Sequence, residues 1–265
     1  MTSLAGTTDD LSHRTLIARQ IVLEAGKFAR GYFLDRDRMN VSTKGTQDWV
    51  TNVDVDVEAL IRRRLKAAFP DDIVLGEEDG QSAESSTGTM WIVDPIDGTT
   101  CFMLGIPQWC VVLAYVVRTQ PVVAAIYDPM ADELYSATQS GGAMLNNKPI
   151  RCSDAQTVAA GLVSIGASHM SDPGKSGRFM ADLVGDGGMY LRIGACALAL
   201  CYVACGRLLA AYEPLVSPWD DLAGMLIVRE AGGRTSDYPA RIVTNKRHPV
   251  LSAAPAIWPR VRELL

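Results

Sequence analysis

No run of lysine and arginine occurs in this sequence, and 25 basic against 30 acidic residues leave a net charge of -5. Nucleic acid and anionic membrane surfaces are therefore not expected as general partners. Long apolar runs are missing too. The longest, CVVLAYVV (110–117) and ACALALCYVAC (195–205), fall far short of the roughly 20 residues that a membrane span needs. Cysteine is sparse. None of the 6 forms a C-x-x-C pair, which argues against zinc, and three lie in the apolar stretch 195–205, where cysteine serves as a small hydrophobe. The stretch MTSLAGTTDDLSHR has no charged-then-apolar signal pattern, and low-complexity linkers and short repeats are absent. The expectation is a reduced, soluble, cytoplasmic chain.

What is present is an ordinary globular composition, 48% hydrophobic and 21% charged, over 265 residues. That length suits one large domain or two fused lobes, divided here at roughly 1–150 and 151–265. A helical period runs from Leu11 to about Leu34, and a second from about Asn52 to Phe69 on the stripe Val53, Val57, Leu60, Ile61, Leu65 and Ala68, stopped by Pro70. Strands are expected at DIVLG, at MWIVD, in the antiparallel pair WCVVLAYVVR and PVVAAIYDP, and at ELYSAT, with a turn-rich hairpin in GGAMLNNKPI. The second half alternates strand and helix: GLVSIGA, a helix near 175–185, MYLRIG, a buried helix over 195–205, RLLAAYE, and a helix from Pro218 to about Ala231. Two short strands and a last helix follow. This is a mixed α/β chain with largely antiparallel sheets.

Acidic residues are crowded in one region. GEEDG (76–80) and WIVDPIDGTT (91–100) place Glu77, Glu78, Asp79, Asp94 and Asp97 close together with glycine, proline and apolar residues between. Two carboxylates about 4 Å apart at an effective dielectric of about 20 repel by roughly 4 kcal/mol. Either the side chains point apart into water or a cation sits among them. Asp94 ends a buried strand, the place where α/β folds put ligands. Asp97 precedes a short helical turn whose Gly98 and Thr99 amides face an anion. One turn thus offers carboxylates for a cation and amides for a phosphate, the needs of metal-assisted phosphate chemistry. Capping accounts for several of the same acids: Asp97 as an N-cap, Asp54 in a Thr51-x-x-Asp54 capping box, and Asp220 at the third helical position after Ser217 and Pro218. A D-x-D-G-T aspartyl-phosphate mechanism is excluded because Pro95 occupies the nucleophile position. NVDVDV (52–57) is not a calcium loop, since Val57 replaces the required glycine and Arg63 the final glutamate.

GEE, WIVDPIDGTTCF followed by GIP, PWDDLAGMLIVREAGG and QDWVTNVD (47–54) together resemble the inositol monophosphatase family of lithium-sensitive, magnesium-dependent phosphatases, in the expected order from Lys44 to Gly233. The resemblance implies a layered α/β/α/β/α sandwich forming a single catalytic domain over 1–265, and a homodimer. It implies two or three Mg²⁺ ions held by Glu77, Asp94, the Ile96 carbonyl, Asp97 and Asp220. Asp54 and Thr99 match the pair that positions and deprotonates the attacking water, with Glu77 also in the catalytic set. Gly98 and Thr99 would hold phosphate oxygens. Asp97, Gly194, Ala195, Glu213 and Asp220 would face a small phosphorylated polyol, with myo-inositol monophosphate first. The implied reaction is direct in-line hydrolysis by metal-activated water, without a phosphoenzyme. Histidinol phosphate and other sugar or nucleotide phosphates are the alternatives within the superfamily, and a regulatory binding role on transcription machinery is the alternative outside it. Two departures bear on substrate choice: Cys101 stands where the family usually has asparagine, and Ala195 where it often has serine or threonine.

Overall fold

The computed structural model describes residues 8–45, 48–81, 88–238, 242 and 247–265; Gln47 of the motif above and the stretch 1–7 lie outside them. The chain opens with helix α1 (Thr8–Leu34), the hairpin β1 (Val41–Gly45) and β2 (Asp48–Thr51), and helix α2 (Asn52–Ala68). Strands β3 (Val74–Gly76), β4 (Gly80–Gln81) and β5 (Thr89–Asp97) follow, then the short helix α3 (Thr99–Leu104). A meander completes this half: β6 (Cys110–Val117), β7 (Gln120–Asp128), β8 (Glu133–Thr138), β9 (Gly142–Leu145) and β10 (Lys148–Pro149). These build an eight-stranded sheet in the order β10-β9-β8-β7-β6-β5-β3-β4, antiparallel except where β3 runs parallel to β5.

The second half is β11 (Leu162–Ile165), α4 (Pro173–Gly185), β12 (Met189–Leu191), α5 (Cys196–Ala204), β13 (Ala210–Val216), α6 (Pro218–Glu230), β14 (Arg234–Thr235), β15 (His248–Ala253) and α7 (Trp258–Glu263). Its five-stranded sheet has the order β12-β11-β13-β15-β14. This sheet is mixed where a largely antiparallel one is expected: β15 pairs antiparallel with β13 and β14, but β12, β11 and β13 run parallel, because helices intervene between them and a crossover connection permits parallel pairing.

Side-chain alternation along β5 and β6 explains the layering. Trp91, Val93, Val111 and Leu113 pack with α1 and α2 through Val22, Ala25, Val57 and Ile61. Their neighbours Ile92, Val112 and Ala114 face the opposite way, onto Leu198, Leu222 and Leu226 of α5 and α6. All eight residues of β6 are buried, so its uniform hydrophobicity marks a strand covered on both faces. The outer face of the second sheet packs Val163, Tyr212 and Leu251 against Phe179 and Leu183 of α4 and Val261 of α7. The order of layers is helices, eight-stranded sheet, helices, five-stranded sheet, helices: an α/β/α/β/α sandwich. Among the described residues, no helix is long and apolar enough to cross a membrane.

Helices α5 and α6 form the central layer and touch closely. A Cβ on Gly224 would fall 2.5 Å from Leu200 Cδ1 and 2.7 Å from its Cβ. The glycine of the PWDDLAG stretch therefore sets how near the two helices approach. Gly224→Ala is expected to destabilise the chain by about 1–3 kcal/mol through overpacking, read as a lower urea midpoint with an unchanged m-value; an unchanged midpoint refutes the contact.

Candidate active site

Strand β5 is longer than the sequence suggests. It does not stop at Asp94 but runs on to Asp97 with a shift in register, Asp94 opposite Val112 and Asp97 opposite Cys110. Three steps on β5 match two on β6, which is a β-bulge at Pro95 and Ile96. Proline lacks the amide a regular ladder would use, so the bulge is where it can sit. The bulge has a chemical consequence. Residues three apart on a regular strand face opposite sides; one extra residue turns Asp94 and Asp97 to the same side.

Asp97 does not cap the helix that follows it. Gly98, in the left-handed conformation at φ 95°, is the cap of α3. The Asp97 carboxylate reaches across to α5 instead, where the N–H groups of Cys196 and Ala197 donate to its two oxygens at 3.0 and 2.7 Å. The cap position of that helix is Ala195, which supplies no side-chain bond. Asp97 thus does for α5 what a serine or threonine at the cap position would do locally. The Cys110 thiol adds a longer contact at 3.6 Å.

Glu77 arrives from the neighbouring strand. The parallel pair Gly76 with Val93 is the last of the β3–β5 ladder, so the next step sets Glu77 beside Asp94. Asp220 enters from the first turn of α6, where its Oδ2 accepts the Ser217 N–H at 2.7 Å. Carboxylate oxygens of Asp94, Asp97 and Asp220 lie within 4.8 Å of one another. Three convergent oxygen donors suit a hard divalent cation, and the capping role of Asp220 leaves its other oxygen for the cluster.

Asp54 combines the capping box with a contact to Thr99. Its Oδ2 closes the capping box, accepting from the Thr51 N–H at 2.8 Å and the Thr51 hydroxyl at 2.6 Å. Its Oδ1 faces the Thr99 hydroxyl at 3.3 Å, and the same hydroxyl lies 3.0 Å from the Ile96 carbonyl. One hydroxyl proton serves one of these acceptors at a time.

Burial governs the electrostatics. Asp54, Asp94 and Asp97 are 1%, 2% and 6% exposed. Loss of solvent raises Asp54 to about 6 and Asp97 to about 6, the latter against the pull of the α5 amides. Burial and then the Asp97 charge raise Asp220 to about 7, partly offset by Arg247. Glu77 is raised well above the carboxylate range by burial and then by the Asp220, Glu78 and Asp54 charges, with Asp94 opposing, and Asp94 is raised well above it by burial and then by the Glu77, Asp97 and Asp220 charges. Glu213, buried at a bulge of β13, rises to about 8 from burial and the Asp97 charge, with Arg192 opposing.

The predicted substrate-facing positions border this cluster. Ala195 contacts the turn at Gly98, its Cβ being 3.1 Å from where a side chain on that glycine would begin. Gly194 lies against Cys101, with the thiol 4.0 Å from its carbonyl. Two further acids escaped the sequence reading. Asp221, fully buried, binds His248 Nε2 at 2.7 Å; the doubled aspartate after Trp219 was its only signal. Glu58 is also fully buried, beneath the turn that carries Glu77. Its signal was an acid beside the apolar stripe of α2 with Arg62 one turn on.

Comparison with known proteins places this geometry. The model of the inositol monophosphatase family matches residues 10–263. The chain is 34% identical over 252 residues to the Nus factor SuhB of Pasteurella multocida (strain Pm70), covering 94% of this chain and 93% of that protein. It is 35% identical over 221 residues to an inositol-1-monophosphatase of Rhizobium meliloti (strain 1021), with 82% and 83% covered. The solved structure of the extragenic suppressor protein suhB from Bartonella henselae superposes with a TM-score of 0.87 at 29% identity, covering 94% of this chain and 96% of that one. With its motifs, layers and full-length match in agreement, the chain belongs to the inositol monophosphatase family.

Proposed function

We propose that this chain is a Mg²⁺-dependent phosphate monoester hydrolase acting on a small polyol phosphate, with myo-inositol monophosphate as the first candidate. The observation that carries the reading is the convergence of Asp94, Asp97 and Asp220 oxygens beside the Asp54–Thr99 pair. Glu77, Asp94, the Ile96 carbonyl, Asp97 and Asp220 are the groups that would hold two or three ions. Bound Mg²⁺ would supply Lewis-acid polarisation of the phosphoryl group and charge to match the attacking and leaving oxygens.

The chain's own residues do the rest. The Gly98 and Thr99 amides open a helix and lack intrahelical acceptors, so they are donors for phosphoryl oxygens. A water beside Thr99 passes a proton to its Oγ1 while the threonine's own proton moves to Asp54 Oδ1. Burial holds Asp54 at about 6, near the range where a base works at neutral pH. Glu213, raised to about 8, keeps a proton at neutral pH and can donate it in a hydrogen bond to a substrate hydroxyl. The homodimer and lithium sensitivity implied by the resemblance belong to the same proposal.

Likeness to a Nus factor supports a second reading, in which the protein also docks on transcription machinery. Asp97→Asn separates the two. The variant is expected to stay folded and to lose about 100-fold or more of its Mg²⁺-dependent kcat/KM, while recovery of RNA polymerase in a pull-down with the variant supports the docking role. Undiminished turnover in that variant sinks the hydrolase assignment. Across a panel of inositol, histidinol, sugar and nucleotide monophosphates, inositol phosphate is expected to release phosphate fastest; a faster histidinol or nucleotide substrate overturns that choice.

The raised acids also predict how stability follows pH. Asp97 and Asp220 titrate near 6 and 7 in the fold and near 3.8 when unfolded. The folded state therefore binds the extra protons, and stability present at low pH is lost as pH rises through 6 and 7. Without metal, the melting temperature is expected to fall between pH 5 and 8; Mg²⁺ should restore it at pH 8 and do little at pH 5. Calorimetry of the Asp97→Asn variant should show a shallower slope, and an equal slope argues against this cause.

A further inference from the structure

Glu58, in the second turn of α2, is fully buried, yet it lies outside the set assigned to metal and substrate. Its Oε2 accepts the Glu78 N–H at 2.9 Å and its Oε1 the Asp79 N–H at 3.2 Å. Arg62, one helical turn later, donates its Nε to Glu58 Oε1 at 2.8 Å and its Nη1 to the Val74 carbonyl at 3.2 Å. The pair therefore grips the chain on both sides of Glu77. Gly76 completes the fit: a Cβ there would fall 2.1 Å from Glu58 Oε1, so the carboxylate rests on bare backbone.

This grip opposes a definite force. Glu77 is buried among Asp220, Glu78 and Asp54, whose charges repel its own, and its turn belongs only to short strands at the sheet margin. A turn held by two amide bonds to a charged acceptor resists that repulsion better than one held by neutral partners. We propose that Glu58 is a positioning residue, clamped by Arg62, which holds the Gly76–Asp79 turn so that Glu77 stays against Asp94 ready for a cation. The inference rests on the reading of Glu77 as a metal ligand.

The test is Mn²⁺ affinity of the full chain without substrate, followed by electron paramagnetic resonance, alongside kcat and the Mg²⁺ concentration for half activity. Glu58→Gln replaces an acceptor oxygen by an amide donor facing the turn. It is expected to weaken Mn²⁺ binding and raise the Mg²⁺ half-saturation by about 10-fold, with kcat at saturating Mg²⁺ largely kept. Arg62→Met should shift both in the same direction by less, and it carries the test if Glu58→Gln does not fold. Folded variants that bind Mn²⁺ as tightly as the wild type overturn the inference alone, whatever their melting temperatures. A wild-type chain that binds no Mn²⁺ removes the metal reading and this inference with it.

Discussion

Like charge gathered in a place that water barely reaches is the constraint around which this molecule is arranged. Burial acts against ionising Glu77, Asp94, Asp97 and Asp220, neighbouring carboxylates add to it at Glu77, Asp94 and Asp220, and each is pushed up the pH scale. The fold answers with dipoles and amides placed where they stabilise each acid. Asp97 has the first amides of α5, Asp220 the Ser217 amide, and Asp54 the Thr51 amide and hydroxyl. Asp220 is fixed through one oxygen and Asp97 through both, and the lone pairs left over on each keep capacity to accept. That is why capping and chemistry are not rival explanations for these residues.

The layering serves the same end. Strand β5 brings two acids and the turn after β3, in the same sheet, a third; α6 brings a fourth and α2 supplies Asp54, so three layers meet here. They converge only because β5 lies inside its sheet with helices on both faces. The bulge at Pro95 and Ile96 then aims both of its carboxylates to one side. Moving any one layer by a fraction of a side chain would separate oxygens that now share a space narrower than 5 Å.

Local features of this design could be read from the sequence. The stripe of α2, its capping box and its stop before Pro70 follow from spacing and proline chemistry, and the structure has the helix at Asn52–Ala68. Asp54, Asp94, Asp97 and Asp220 were named as a group, and the fold brings them together. What stayed hidden was non-local. Nothing around Asp97 announces that its partners are the amides of Cys196 and Ala197. The bulge depends on the register of β6 rather than on the D-P-I-D run itself. The parallel pairing in the second sheet depends on where α4 and α5 pack. Glu58 is invisible because a charged residue next to an apolar stripe normally points to water, and its buried role is defined by a turn 20 residues away.

The bond from Asp97 to α5 spans 99 residues of chain, and this has a bearing on biosynthesis. When β5 leaves the ribosome, the residues that complete its acidic turn have not been made. The half-built site has neither the amides of α5 nor the carboxylate of α6. Until the central helices dock, Asp94 and Asp97 remain hydrated anions in the midst of very apolar strands. The emerging polypeptide thus carries its own solubilising charge where unfinished sheet would otherwise be most prone to stick. The charge is withdrawn from water only when the last layers close over it.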